Sequence, residues 1–436
     1  MTQLSAKHLW RSQSYKRSKN PLSYVHNWKT RRLPFTSCAN ASLSVKGCSS
    51  HEPVHPSTRN GCLLRATKQS EVLSRKLHAS VLQMSNAQAT LNTSRGGLGL
   101  RSSSTHAVAA YFASVNSCAE IDKWNCLSAE GLQATVEAIR TATNQPLWGA
   151  SDTFPEVSQR DVSGMIDNRA LDMLLQNSSE KDCARLLSCG SQGIASAWLT
   201  AVPSPFFGTT FTPACFVTAL KLWLGAPLCD ADPCPKCPFC TKDMDAKGYH
   251  ALTCKSHGTL IRRHDNLRNV LFSYCEQGRL LPKKEPLVPT TQRDKRSGMY
   301  RDTNTRSDIL LQTTGTRPRA IDFAVTSPLQ PIYVKGAAKE RGFAAERYAV
   351  CVKEERYATE FAALGIDFTP LVVETFGAVC VKGKEVLKNV ARSVACCRNI
   401  SVGTVMRRMF AQLSCCLMRY NAHAVLERLP PPPAIV

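Results

Sequence analysis

The spacing of apolar residues changes character along the chain. Residues 1–70 are rich in Ser, Asn, Lys and Arg, contain Glu52 as their single acid, and show no sustained hydrophobic period. That composition is typical of a disordered basic arm. From Glu71 apolar residues recur at helical spacing as far as a glycine-rich break at 95–100. Residues 120–230 continue as several short helical patterns, including the run Val217 to Leu224, and predict a mostly helical connector.

After Pro233 short strand patterns alternate with helical ones. Strands are predicted at Asp308 to Gln312, Ala320 to Thr326 and Phe368 to Thr375. Helices are predicted at Leu260 to Tyr274, near Phe343 to Leu364, and at Val405 to Leu426, where a proline-rich tail at 430–433 ends the pattern. Strands mixed with intervening helices indicate an α/β or α+β sheet domain, and of the two we predict the α/β class.

The net charge indicates the class of partner, and the cysteine content indicates how the thiols are used. The net charge is +22, which attracts phosphate backbones or anionic membranes. No stretch approaches the roughly 20 apolar residues of a membrane span, so nucleic acid is the expected partner. A solvated basic protein without a dedicated partner stays open as the alternative. The chain contains 20 cysteines, and its first residues show no apolar segment of a secretory signal. Because disulfides are typical of secreted proteins, we expect these cysteines to bind zinc or to be buried as free thiols. The pairs Cys396–Cys397 and Cys415–Cys416 are predicted to be small core residues.

One cysteine and histidine cluster has the spacing of a zinc site. Cys237, Cys240, His250 and Cys254 form the pattern C-x2-C-x9-H-x3-C, with Gly248 easing the chain reversal. Four such ligands leave no open position, so the site is predicted to be structural. Two substitutions stay open: Cys234 with Cys237 as the first ligand pair, and His257 in place of His250.

The helix that follows this cluster carries a basic set beside an apolar stripe. Arg262, Arg263, His264 and Arg268 are candidate nucleic-acid contacts, since arginine binds phosphate in bidentate fashion. A charge run is also commonly just a solvated helix face.

Two acids stand within predicted strands. Asp308 opens one apolar run and Asp322 lies inside the next, with 13 residues between them. A buried acid is costly unless it is paired or binds a metal, and two acids on neighbouring strands can share one Mg²⁺. The alternative is one surface aspartate and one paired structural aspartate, and on spacing alone that alternative is the stronger one.

A lysine on the helix predicted near Phe343 to Leu364 favours the metal-site interpretation of the two acids. Val350, Tyr357, Phe361 and Leu364 predict a stripe facing the sheet, and Lys353 shares that side. Its ammonium could orient a water molecule or stabilise a leaving charge, with Arg356 as an assistant. The alternative is a lysine whose head lies in solvent.

The region from about Ser94 to Pro430 resembles the downstream part of non-LTR retrotransposon polyproteins that end in a restriction-like endonuclease. The residues that carry the resemblance are Gly96-Gly97-Leu98-Gly99-Leu100-Arg101-Ser102, Ala197-Trp198-Leu199, Leu222-Trp223-Leu224-Gly225, Cys237-Pro238-Phe239-Cys240, His250-Ala251-Leu252-Thr253-Cys254, Arg263-His264, Ser307-Asp308-Ile309, Asp322-Phe323-Ala324-Val325-Thr326 and Val373-Glu374-Thr375-Phe376-Gly377.

The resemblance implies a zinc knuckle followed by a PD-(D/E)XK-like nuclease that nicks target DNA, in the nucleus, to prime reverse transcription. The knuckle ligands match Cys237, Cys240, His250 and Cys254, and the metal-binding acids match Asp308 and Asp322. Lys353 is similar to the lysine that this family draws from a helix, since Ala324 stands where the general fold has its lysine. Ser307 departs from the usual proline.

The resemblance also implies a division of the chain. The predicted segments are a basic arm (1–70), a remnant following a reverse-transcriptase thumb (71–150), a helical connector (151–232), the knuckle (233–257), the endonuclease (258–400), and a C-terminal helix with its proline-rich tail (401–436). No adjacent Asp-Asp pair occurs, so the polymerase palm motif is missing. We therefore expect a Mg²⁺-dependent DNA endonuclease with structural Zn²⁺, with DNA as its partner and element RNA as a further candidate partner. The alternative is a catalytically inactive, nucleic-acid-binding remnant.

Overall fold

The computed structural model describes residues 86–119, 137–143, 158–229, 233–293, 300–312 and 315–429. The predicted arm at 1–70 and the proline-rich tail lie outside these residues. The helices are α1 (Asn86–Thr90), α2 (Ser103–Ala119), α3 (Gln159–Gln176), α4 (Glu180–Cys189), α5 (Pro213–Leu224), α6 (Thr259–Gln277), α7 (Val334–Ala337), α8 (Phe343–Tyr348), α9 (Glu355–Ala363), α10 (Val381–Arg398) and α11 (Val402–Leu426). A π-helical segment, Ala349–Glu354, joins α8 to α9, and residues 137–143 are also helical.

The strands form a mixed sheet and a separate hairpin. The strands are β1 (Pro282–Lys284), β2 (Leu287–Arg293), β3 (Tyr300–Arg306), β4 (Ile309–Leu311), β5 (Arg319–Thr326) and β6 (Asp367–Glu374). The four-stranded sheet has the order β1-β4-β5-β6, while β2 and β3 pair only with each other. Neighbouring pairs are antiparallel except β5 and β6, which are parallel. The predicted α/β class is therefore confirmed.

Both faces of the sheet are covered by helices. Alternate residues of a strand point to opposite faces, and here Ile309, Ile321 and Phe323 belong to a core shared with α6, α10 and α11. On the other face, Ala324 packs with Ala345 and Ala349 from α8 and the π-helical segment. The parallel β5–β6 pair requires a crossover connection, and α7, α8, the π-helical segment and α9 supply it. That crossover places Lys353 over the sheet.

The C-terminal helix α11 joins two cores. Its residues Met409 and Leu413 lie in the core of the sheet, whereas Met418 and Val425 lie in a second core with α5 and the 237–254 loop. Because α11 belongs to both, the segment boundaries drawn at 232, 257 and 400 do not coincide with separate cores. Among the described residues, no helix has the length and apolar content needed to cross a bilayer.

The two cysteine pairs differ in their surroundings. Cys415 and Cys416 lie within α11 and are buried, as predicted. Cys396 and Cys397 are exposed, so the core assignment was wrong for them. They lie in the last turn of α10, beyond the part of that helix that packs on the sheet.

Candidate metal and carboxylate sites

The Cys237, Cys240, His250 and Cys254 side chains converge at one point. Their candidate ligand atoms all lie within 4.8 Å of one another. The two sulfurs of Cys237 and Cys254 are 4.0 Å apart, and Cys240 Sγ is 3.1 Å from His250 Nε2. Sulfurs bound tetrahedrally to one zinc ion, with Zn–S bonds of about 2.3 Å, are separated by roughly 3.8 Å. This Cys₃His group could therefore hold a zinc ion.

Backbone turns on each side of the loop present these ligands. The first pair lies on a turn in which Thr241 N donates to Cys237 O at 2.9 Å. The second turn is organised by Asp245, whose carboxylate accepts from Tyr249 N at 3.0 Å and from His250 N at 2.7 Å. Gly248 adopts a φ of +69°, which supports its predicted part in the chain reversal. Asp245 was not singled out from the sequence, although aspartate commonly caps turns in this way.

The two alternative ligands that the sequence left open lie elsewhere. The cluster found among the described residues contains neither Cys234 nor His257. The His257 ring stacks on Phe239 with ring centroids 4.0 Å apart, and the guanidinium of Arg428 lies 5.0 Å from the same Phe239 ring. Burial raises the pKa of the Cys254 thiol, but the Ser256 backbone and Arg428 outweigh that effect and lower it to about 6. A thiolate, the form that binds zinc, is therefore favoured at neutral pH.

The second site lies where β4 meets β5. The antiparallel ladder between β4 and β5 begins with Ile309 opposite Ile321, and Asp308 comes directly before Ile309. Phe323 N, next to Asp322 in the chain, donates to Asp308 Oδ2 at 2.6 Å, and the charge of Asp308 acts on the Asp322 carboxyl. Lys353 Nζ lies 2.6 Å from Asp322 Oδ2. The structure thus brings the three predicted catalytic residues together.

Electrostatics couple these groups. Burial raises the pKa of the Asp322 carboxyl; Lys353 opposes that shift, and the negative charge of Asp308 adds to it. Burial by itself would lower the pKa of the Lys353 ammonium, but Asp322 outweighs burial and raises it. Lys353 therefore stays charged at neutral pH and neutralises much of the Asp322 carboxylate.

Lys353 reaches the sheet from the π-helical segment. Its ammonium lies 5.7 Å from the ring of Tyr357, and its side chain is only 16% exposed, so its head does not lie in solvent. Of the predicted sheet-facing stripe, Phe361 is buried, whereas Val350 and Leu364 are 41% and 45% exposed. The stripe was wrong for Val350 because it lies in the π-helical segment, whose wider turn changes the helical phase before α9. It was wrong for Leu364 because that residue is the C-cap, beyond the last turn of α9.

Arg356, the suggested assistant of Lys353, points elsewhere. It is exposed, and its guanidinium lies over the ring of Tyr357 at 5.0 Å.

The four basic residues of α6 have different surroundings. Arg262 is half exposed and pairs with Glu427 at 2.7 Å. Arg263 is 3% exposed and donates to Asn421 Oδ1 at 2.8 Å. Arg268 is 4% exposed and pairs with Glu285. The expectation that Arg263 and Arg268 contact nucleic acid is therefore corrected, because α6 is covered by both the sheet and α11, which leaves these two guanidiniums no exposed surface.

His264 lies beside the carboxylates rather than on an open basic face. Its Nε2 is 2.8 Å from the carbonyl oxygen of Phe323 and 3.3 Å from Asp308 Oδ2. Its Nδ1 is 3.2 Å from Asp265 Oδ1. Burial would lower the pKa of His264, but Asp308 and Asp265 outweigh burial and raise it to about 9. The sequence singled out His264 as a candidate nucleic-acid contact, and its neighbours in the structure are Asp308, Asp265 and Phe323.

A further buried acid, Glu374, lies at the end of β6. It is 1% exposed, and its Oε1 accepts from Ala344 N at 2.9 Å and from Ala345 N at 3.1 Å. Burial raises the pKa of Glu374 to about 7. The signal available in the sequence was an acid that closes the apolar run Leu371-Val372-Val373.

No protein-family model matches this chain, and no curated protein matches it.

Proposed function

We propose that this chain is a metal-dependent DNA endonuclease module derived from the C-terminal part of a non-LTR retrotransposon polyprotein. One observation carries the proposal: Asp308 and Asp322 lie near each other where β4 meets β5, and Lys353 Nζ lies 2.6 Å from Asp322 Oδ2. The resemblance of the motifs around these residues supports the same family with a restriction-like, PD-(D/E)XK type of nuclease core.

The two carboxylates fit a hard divalent cation. Carboxylate oxygens are the ligands that Mg²⁺ prefers, and the ion would supply an activated water and charge neutralisation at the phosphate. Asp308 and Asp322 would hold it where β4 meets β5. Lys353 would place its ammonium where negative charge develops on the phosphate oxygens, because Asp322 fixes that ammonium beside the pair.

The Cys₃His loop would have a structural part. Four protein ligands leave no open coordination position, so zinc bound by Cys237, Cys240, His250 and Cys254 would not act on substrate. Zinc binding contributes on the order of 10 kcal/mol to the folding of small knuckles. The exposed Arg262 follows this loop and is the α6 residue best placed to contact a DNA phosphate.

The biological setting rests on the motif resemblance. In that setting the module would nick target DNA in the nucleus, and the exposed 3′ end would prime reverse transcription by a polymerase supplied elsewhere. This chain has no adjacent Asp-Asp pair, so it would not polymerise by itself. Element RNA would be a second polyanionic partner, in keeping with the net charge of +22.

Nicking of supercoiled plasmid by the purified full chain tests the proposal. We expect the zinc-loaded protein to convert plasmid to the open circle when Mg²⁺ is added and not when Mg²⁺ is left out, and we expect strong loss in Asp308→Asn and Asp322→Asn. Asp172→Asn, at an exposed carboxylate on α3, is the matched control and should cut like the unaltered protein. Equal cutting by all four proteins would mean that the activity comes from a contaminant and that the enzyme proposal fails.

A second candidate is a nucleic-acid-binding remnant without activity. It is favoured by the positive groups already beside both carboxylates: Lys353 at Asp322, and His264 with Arg268 at Asp308. This candidate predicts salt-sensitive DNA binding by the zinc-loaded chain without added Mg²⁺ that Asp322→Asn leaves unchanged, together with no cutting at any Mg²⁺ concentration.

A further inference from the structure

The Asp308 carboxylate is held from two directions. The backbone N–H of Phe323 donates to Asp308 Oδ2 at 2.6 Å, so the side chain caps β5 where the β4 ladder ends. From α6, His264 Nε2 lies 3.3 Å from the same oxygen, and Arg268 Nη1 lies 3.9 Å from Oδ1. The orientation of the Asp308 carboxylate thus depends on α6 as well as on the sheet.

His264 is itself fixed in place. Its Nε2 donates to the carbonyl oxygen of Phe323 at 2.8 Å, and its Nδ1 meets Asp265 at 3.2 Å. Its ring packs edge-on against the Phe323 ring with centroids 5.9 Å apart. Arg268 pairs with the same Asp265 carboxylate at 3.3 Å and with Glu285. These contacts leave the imidazole one orientation, with Nε2 between Asp308 and the β5 backbone.

We propose that His264 is a positioning residue, which holds Asp308 so that both carboxylates face one divalent cation. This inference rests on the proposed function, because it assumes that Asp308 and Asp322 share a metal ion. His264 would act through Asp308 and would not touch the ion. Partners that orient a metal ligand in this way typically contribute about 10-fold to 100-fold to metal affinity.

A positive charge on His264 would lower the affinity of the site for a cation, whereas its hydrogen bonds to Asp308 would raise that affinity. The two effects must therefore be measured separately. A positive imidazolium beside the site repels a cation, while its hydrogen bonds place the ligand. Two neutral variants isolate the second effect. His264→Gln keeps an amide donor near the place of Nε2, and His264→Leu keeps a similar volume with no donor. Any difference between these two variants reports positioning and not charge.

The experiment is Mn²⁺ binding to the zinc-loaded full chain without DNA, measured by calorimetry. Asp308→Asn identifies the site by abolishing its binding, and Asn266→Ala, on α6 between the two contacts, is the control that should bind like the unaltered protein. We expect His264→Gln to bind Mn²⁺ at least about 10-fold more tightly than His264→Leu. Equal affinities of the two variants would overturn the proposal.

Folding and function are read separately. If His264→Leu fails to fold by circular dichroism, His264→Asn replaces it, because its shorter amide reaches the Asp265 side but not the Phe323 carbonyl. A difference between the variants in a protein that never nicks DNA would uphold positioning and defeat the nuclease. Nicking with equal Mn²⁺ affinities would defeat positioning and leave the nuclease standing. Mn²⁺ binding that Asp308→Asn leaves intact would overturn the inference, because the shared ion would be absent.

Discussion

Lys353 and Asp322 form a close ion pair, with 2.6 Å between Nζ and Oδ2, in a largely buried position between the π-helical segment and β5. Their side chains are 16% and 13% exposed. An ion pair this far from water is strongly destabilising to break, since the remaining charge stays buried. The pair therefore links the proposed chemistry to the stability of the sheet.

The first prediction concerns that ion pair. Lys353→Met should lower the free energy of unfolding by about 3 kcal/mol, because Asp322 is left buried without its counter-charge. Lys353→Arg keeps the positive charge, so its free energy of unfolding should fall by less. Urea denaturation measures both variants, with Lys339→Met at an exposed position of the same crossover as the control. If Lys353→Met is as stable as Lys339→Met, the pair contributes nothing to the fold.

The second prediction concerns the Cys₃His loop. Cys240→Ser should abolish zinc binding and lower the melting temperature, whereas Cys234→Ser, which changes a nearby cysteine outside the cluster, should keep about one zinc ion per chain. Elemental analysis of the purified proteins gives the zinc content, and a thermal melt gives the stability. Retention of zinc by Cys240→Ser with its loss in Cys234→Ser would shift the ligand set toward Cys234.

The third prediction concerns the pH dependence contributed by Glu374. Its pKa in the folded protein is about 7, above the ordinary value of 4.5, so the folded chain retains a proton that the unfolded chain releases. Glu374 therefore costs nothing below about pH 4.5, and its cost grows as pH rises toward 7 and is complete above it. A shift of this size corresponds to about 3 kcal/mol.

Glu374→Gln removes that titration. Relative to the unaltered protein, the variant should gain free energy of unfolding between pH 5 and pH 8, measured by urea denaturation at both values. The carboxamide of glutamine and the carboxyl group of glutamate have nearly the same shape, so the packing around position 374 is preserved. A constant difference between the two proteins across this range would show that Glu374 titrates at its ordinary pKa.

The fourth prediction separates two neighbouring arginines of α6. Arg262→Ala should weaken DNA binding and reduce the slope of log affinity against log salt by about 1, as expected for the loss of one phosphate contact. Arg263→Ala should act on stability, because it leaves Asn421 Oδ1 without its donor in the interior. Fluorescence anisotropy at several salt concentrations and a thermal melt distinguish the two effects. Reversed roles would mean that Arg263 becomes exposed when DNA binds.

The parts of the site that depend on local spacing could be predicted from the sequence. Cys237 with Cys240, and His250 with Cys254, are close in the chain, so short turns are enough to bring each pair of ligands together. The alternation of side chains along β5 sets Asp322 and Ala324 on one face. Placing Asp308 near Asp322 required the pairing of β4 with β5, which the sequence suggested only through the length between the two strands. These predictions depend on backbone geometry that is nearly the same in every protein.

The parts that failed depend on packing between distant segments. The pattern of α6 showed an apolar stripe, but it could not show that α11, more than a hundred residues later, covers its second side and buries Arg263. His264 was assigned to DNA because its contacts with Asp308 and Phe323 exist only in the folded sheet. The π-helical turn that exposes Val350 leaves no simple mark in the hydrophobic pattern.

The most direct test of the central claim is the number of Mn²⁺ ions lost when either carboxylate is removed. If Asp308 and Asp322 share one ion, calorimetry should show one site in the unaltered chain, absent in Asp308→Asn, absent in Asp322→Asn, and no further loss in the double variant. Binding that survives either single substitution would contradict the account, since the two aspartates would then not hold one cation together.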